Sequence, residues 1–219
     1  MHSKLLGMVA AAAVSIATMT TAMAAPVTFD VTGGSFSTGS GYGKSNGQLD
    51  VTFTSLVTPQ SFTLDQGQTQ SFLFGRVTLG ETCINSGNGL VDLALCGFGG
   101  LGGNETDNLG VTANLSFASP LDATIQSVAI TGAFVGPVND IFTDYFINFS
   151  PVTVAFGTGG EFVLDLGDLF FNQVGSITNG ANITLTATPV PEPASMLLFA
   201  TGMLGLGLAH RNRARGRSA

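Results

Sequence analysis

Apolar and polar residues alternate with a period of two through the middle of this chain, and that alternation constrains the fold more than any other feature. Runs at 27–33 (VTFDVTG), 48–56, 70–79, 110–119, 123–135, 141–149, 152–157, 161–171 and 181–190 alternate or cluster β-branched and aromatic side chains. Apart from the run at 48–56, each stops at or just before Gly, Pro, Asn, Asp or Ser. A period of two puts successive side chains on opposite faces, as a half-buried strand requires, and the stops are turn formers. About nine short strands at this spacing predict an all-β fold, an antiparallel β-sandwich. The 17 phenylalanines suit its inward-facing positions. No amphipathic helical segment is expected between residues 25 and 190.

The two ends read differently. The amino end, MHSKLLGMVAAAAVSIATMTTAMAAPVTF, has Lys4, an apolar stretch from Leu5 to Ala17, and then Ala22-Met23-Ala24 with small residues where a signal peptidase reads. A signal helix over residues 1–24, cut after Ala24 by signal peptidase, and export of the remainder are the expectation. At the other end Pro191-Glu192-Pro193 precedes an apolar run from Ala194 to Ala209, followed by Arg211, Arg213, Arg215 and Arg217. That run is shorter than the ~20 residues of a comfortable helical span. It carries Gly202, Gly205 and Gly207, and it lacks the polar face of a surface-lying helix. A short transmembrane helix with cytoplasmic arginines fits the positive-inside rule once the amino end is exported. The chain therefore divides into 1–24, 25–190 and 191–219.

The exported segment 25–190 holds thirteen acidic side chains against two basic ones, Lys44 and Arg76, for a net charge of −11. Phosphate backbones demand a basic surface, so nucleic-acid binding is disfavoured and no nucleic-acid partner is expected. The segment is long enough to bury its own core. Cys83 and Cys96, with twelve residues between them, are expected to form a disulfide in an exported protein.

Both histidines, His2 and His210, fall outside this segment. Ser-His-Asp and Cys-His catalysis and histidine-ligated metals are thereby removed. No cofactor is expected. Carboxylates remain: Glu161, Asp165 and Asp168 in GEFVLDLGDLFF are candidates for a glycosidase pair, although Glu161 and Asp165 also suit a solvated outer face opposite Phe162, Leu164 and Leu166. Oxygen donors concentrate at Asn104, Glu105, Asp107 and Asn108, a candidate calcium loop that ordinary turn chemistry explains equally well. The EF-hand pattern is absent there, because Leu109 stands where its glycine belongs. A sugar platform would rest on Tyr42 and Tyr145 in the absence of tryptophan, unless some phenylalanines face out. Thr184, Thr186 and Thr188 share one face, as in an ice-binding row or the polar side of an edge strand. The glycine-rich stretches around residues 33–47 and 97–110 lack a phosphate-loop signature and read as surface loops. Asn-X-Ser/Thr triplets begin at Asn104, Asn114, Asn148 and Asn182.

Taken together, VPEPASMLLFATGMLGLGLAHRNRARG resembles the PEP-CTERM sorting signal of Gram-negative bacteria: Pro-Glu-Pro, a short glycine-bearing apolar helix and an arginine cluster, in that order. The resemblance is confined to the tail. It implies an exosortase, a membrane-embedded cysteine protease-transpeptidase, as processing partner, with a transient stay at the inner membrane and then release or transfer to the cell surface or matrix. Such tails imply an association with exopolysaccharide and biofilm. The expectation is a non-enzymatic surface or matrix protein. A polysaccharide- or calcium-binding module, a carboxylate glycosidase and an ice-binding protein are the alternatives.

Overall fold

The structure, a computed structural model, describes residues 25–100 and 102–190. The predicted signal helix, the Pro-Glu-Pro motif, the hydrophobic tail helix and the four arginines lie outside the described residues.

The described chain is all-β, with antiparallel strands in two main sheets. One sheet has six strands in the order β12 (Leu169–Phe171), β9 (Tyr145–Phe149), β7 (Ala123–Ala133), β6 (Val111–Ser119), β1 (Val27–Thr38) and β3 (Gln60–Leu64). The other has five, in the order β10 (Val152–Phe156), β11 (Gly160–Leu166), β13 (Gly175–Ala187), β4 (Thr69–Leu79) and β2 (Val51–Ser55). A small ladder joins β5 (Cys83–Ile84) to β8 (Gly136–Pro137).

The period of two does what it promises. Along β6, Val111, Ala113, Leu115 and Phe117 are buried while the residues between them are not. Along β11, Phe162, Leu164 and Leu166 point in, with Glu161, Val163 and Asp165 on the outer face. Phenylalanines join the two inner faces: Phe29 of the first sheet meets Phe162 of the second at 5.2 Å between ring centres, at right angles. Phe36 meets Phe74 in the same way at 5.0 Å. Each such ring contributes about 1.5–3 kcal/mol of burial, which makes this inter-sheet layer the main source of stability. Not every ring faces inward, however: Phe98, Phe134, Phe142 and Phe170 are exposed.

Strand register defines two poles. At one, Val27 pairs with Leu64 and Glu161 with Ala187, and the amide of Val190 donates to the Thr158 carbonyl. Here Ala25, Pro26, Gly157 and Pro189 line a common depression of about 370 Å³, so the chain enters and leaves the sandwich at the same pole. At the other, Leu79 pairs with both Gly175 and Val51, and the long loops gather. The thirteen residues of β13 put the poles about 40 Å apart.

The structure departs from the sequence expectation in four places. Residues 89–96 form a helix, α1 (Gly89–Cys96), where none is expected. β3 (Gln60–Leu64) is an additional edge strand, and the run at 161–171 divides into β11 and β12, which belong to different sheets. The turn at Gly167-Asp168 makes that crossing, with the Asp168 carboxylate accepting from the Phe149 amide at 2.9 Å. Finally, β13 begins at Gly175 and lies in the middle of its sheet, so the threonine row at 184–188 is not on an edge strand.

Candidate functional site

The loop pole is organised by the bond between Cys83 and Cys96, which closes the loop carrying α1. Asn88 caps this helix, its side-chain oxygen accepting from the Leu90 amide at 3.3 Å. Gly97 ends it at φ +66°, a left-handed conformation that favours glycine, with its amide donating to the Leu93 carbonyl. The helix is inverted relative to an ordinary surface helix. Its one buried residue is Asp92, whose Oδ1 accepts from the Ser86 amide and hydroxyl, both at 2.8 Å. Burial acts to raise the Asp92 carboxyl, but these hydrogen bonds outweigh it and hold the group below its usual range. A depressed acid of this kind supports folding above its unfolded pKa, and that support is lost as the pH falls through the folded one. Leu90, by contrast, is 83% exposed, and Phe98 just beyond the helix is 89% exposed. Covalent closure and a polar anchor thus hold α1, leaving its leucines free of the core.

Beside α1 runs the loop between β7 and β9. Leu95 of the helix and Phe134, Val135, Gly136, Pro137, Asp140, Phe142, Thr143 and Asp144 of the loop line an open groove of about 600 Å³. Ile141 is a further exposed apolar side chain of that loop. Apolar surface gathered this way makes the groove a candidate contact site. Two carboxylates interrupt the apolar wall. Asp140 is exposed, and its Oδ1 accepts from the Phe142 amide at 2.6 Å. Asp144 is only 5% exposed, and its Oδ2 has no hydrogen-bond partner. Burial, together with the like charge of Asp140, pushes the Asp144 carboxyl above the usual range, against a hydrogen bond from the Asn139 backbone. The sign is opposite to that of Asp92: protonated Asp144 favours folding, and this contribution is lost as the pH rises from the unfolded pKa through the folded one. At neutral pH Asp144 is held at a cost to the fold.

The sequence candidates are placed as follows. Asn104, Glu105, Asp107 and Asn108 share one loop at the same pole, but their donors turn in different directions. Glu105 is buried, with its carboxylate on the amide and side chain of Asn85. The Asn104 amide donates to Asp107 Oδ2 at 2.7 Å, while its oxygen accepts from Thr106. Asn108 takes φ +57° to turn the chain. Bound calcium would have to displace these hydrogen bonds. Glu161 and Asp165 lie on the outer face of β11, Glu161 accepting from the Thr186 hydroxyl at 3.0 Å. Thr184 bonds Thr69 across the sheet at 2.7 Å and Thr186 donates to the Glu161 carbonyl at 3.0 Å, so these two hydroxyls are tied to neighbouring strands, while Thr188 follows the end of β13. Tyr42 and Tyr145 are internal pillars: Tyr42 donates to the Leu109 carbonyl at 2.6 Å and accepts from the Tyr145 hydroxyl at 2.7 Å. Burial pushes Tyr42 up to about 12, and Tyr145, fully enclosed, up as well. Tyr145 offers no open ring face, and Tyr42 is half-buried with its hydroxyl engaged.

Sequence reasoning did not find the groove. Its signal was present in two runs far apart in sequence, the apolar LVDLAL at 90–95 and FVGPVNDIF at 134–142, which only tertiary structure brings together. Among the described residues, no helix is long and apolar enough to cross a membrane, and no cluster of three or more His, Cys, Asp or Glu side chains is arranged to hold a metal ion.

Compared with known families, residues 189–212 match the PEP-CTERM protein-sorting motif. The match begins at Pro189, on the pole where the sandwich ends, and takes in Pro191, Glu192, Pro193 and Arg211. Neither the curated proteins nor the solved structures compared with the chain gave a match.

Proposed function

We propose, from the sorting motif carried at residues 189–212, that this chain is a non-enzymatic display protein. It is exported, held briefly at the inner membrane of a Gram-negative cell by its tail, and passed by an exosortase to the cell surface or extracellular matrix. Glu192 between its prolines is the feature the protease reads, while the short apolar run and the arginines Arg211, Arg213, Arg215 and Arg217 hold the substrate in place. The observation that carries this reading is the motif itself, separated from the last strand by one residue.

The architecture supports the same reading. Both ends of the sandwich leave from one pole, so a tether there lets the loop pole point away from the membrane. The disulfide suits the oxidising side of that membrane. An association with exopolysaccharide and biofilm belongs to this proposal, as the setting in which a displayed domain of this kind works. The absence of histidine from residues 25–190 favours a non-catalytic role.

Deleting residues 191–219 tests the proposal. The truncated protein is expected to be exported and folded but lost from membrane and surface fractions, accumulating in soluble form. A truncated protein distributed between fractions like the full chain contradicts it.

A further inference from the structure

We propose that the groove at the loop pole binds an organic ammonium with an apolar body, the cation lying against Asp144 and Asp140 and the hydrocarbon part along Leu95, Phe134, Val135, Pro137 and Phe142. Three observations on this chain point to that chemistry. The first is Asp144, a carboxylate 5% exposed in the groove wall, whose enclosed Oδ2 has no protein partner among the described residues. A buried charge left unpaired is costly, and an ammonium held in the groove beside it supplies the counter-charge it lacks. Among the described residues no such cation lies in the groove: their only basic side chains are Lys44 and Arg76, and neither lines it.

The second observation is the wall. Apart from Asp140, Thr143 and Asp144, the side chains lining the groove are hydrocarbon, and Phe134 and Phe142 are aromatic and exposed. Aromatic faces attract ammonium groups, and aliphatic walls take the rest of the molecule. A hydrated divalent cation is poorly served there, because calcium takes six to eight oxygens and Asp140 already gives one of its own to the Phe142 amide. A sugar is poorly served as well, since its hydroxyls would meet leucine, proline and phenylalanine. The third observation is the field. A net charge of −11 over residues 25–190 draws cations toward the domain and repels anions.

Three probes with one hydrocarbon body decide the matter: octylammonium, octanol and octanoate, titrated below micellar concentration into the purified exported protein at pH 7 and followed by calorimetry and by amide NMR. Octylammonium is expected to bind saturably, about tenfold or more tighter than octanol, with octanoate weaker still and shifts centred on Leu95, Phe134 and Phe142. Asp144→Asn is expected to reduce the preference for the ammonium over the alcohol to less than twofold. Asp165→Asn, the same charge change on the outer face of β11, is expected to leave it intact. If Asp144→Asn does not fold, Phe142→Ala replaces it, with at least a fivefold loss for octylammonium expected. Equal affinity for octylammonium and octanol, a preference that survives Asp144→Asn or falls equally with Asp165→Asn, competition by calcium chloride in place of the amine, or no saturable binding each overturns the proposal. The site stands apart from the sorting tail, so failure here leaves the localisation result untouched.

Discussion

Replacing Phe162 by alanine is expected to destabilise the sandwich by about 3–5 kcal/mol, the cost of deleting a fully buried ring whose neighbours cannot close the space. Phe162 has no exposed surface and sits where both sheets converge, with Phe29, Phe117 and Phe156 at 5.2, 5.5 and 5.9 Å between ring centres. Its removal strips the edge-to-face contact that joins β1 to β11 and exposes nothing polar to compensate. Against a typical total of about 5–15 kcal/mol, such a loss leaves the domain marginal. Phe170 is the internal control: it lies on the outer face of β12, 53% exposed, and its alanine variant is expected within about 0.5 kcal/mol of the parent. Urea unfolding of the two variants measures the difference. Similar midpoints would mean that the inner and outer faces have been assigned wrongly.

The second large effect concerns the bond between Cys83 and Cys96. Replacing both cysteines by serine removes the closure of a short loop, worth about 3 kcal/mol in the chain-entropy treatment. The consequence is local as well as global. An eight-residue helix does not persist alone in water, and the exposed leucines of α1 give it little hydrophobic support. Without the bond, Asp92 and its contacts with Ser86 are the remaining anchor. The double variant is expected to show the lower urea midpoint together with early proteolytic cleavage within residues 89–98, before the sheets open. A midpoint and cleavage pattern like the parent's would show that the polar anchor suffices.

Much of the sandwich was legible because its signal is local. Val111, Ala113, Leu115 and Phe117 alternate with polar residues, and nothing beyond that alternation is needed to place them inward. The disulfide was legible from two cysteines in an exported chain. What escaped was of two kinds. α1 escaped because amphipathic reasoning looks for an apolar face turned to the core, whereas this helix buries Asp92 and exposes Leu90. The fate of the run at 161–171 escaped because both halves read as strand, and only the turn at Gly167-Asp168 sends them to different sheets. The loop at 104–108 shows the limit of counting donors: the same residues that suggest calcium are those that satisfy a glycine-rich loop from within, as Glu105 does for Asn85. The groove needed the fold itself, since residue 95 and residues 134–144 meet only because β5 pairs with β8.

A sorting signal that is processed must leave a defined end. Intact-mass measurement of the protein released to the surface fraction tests this most directly. The prediction is a chain that begins at Ala25, ends near Pro191-Glu192-Pro193 and lacks the apolar run and arginines, with the longer form confined to membranes. A surface-fraction protein that still carries residues 194–219 would contradict it.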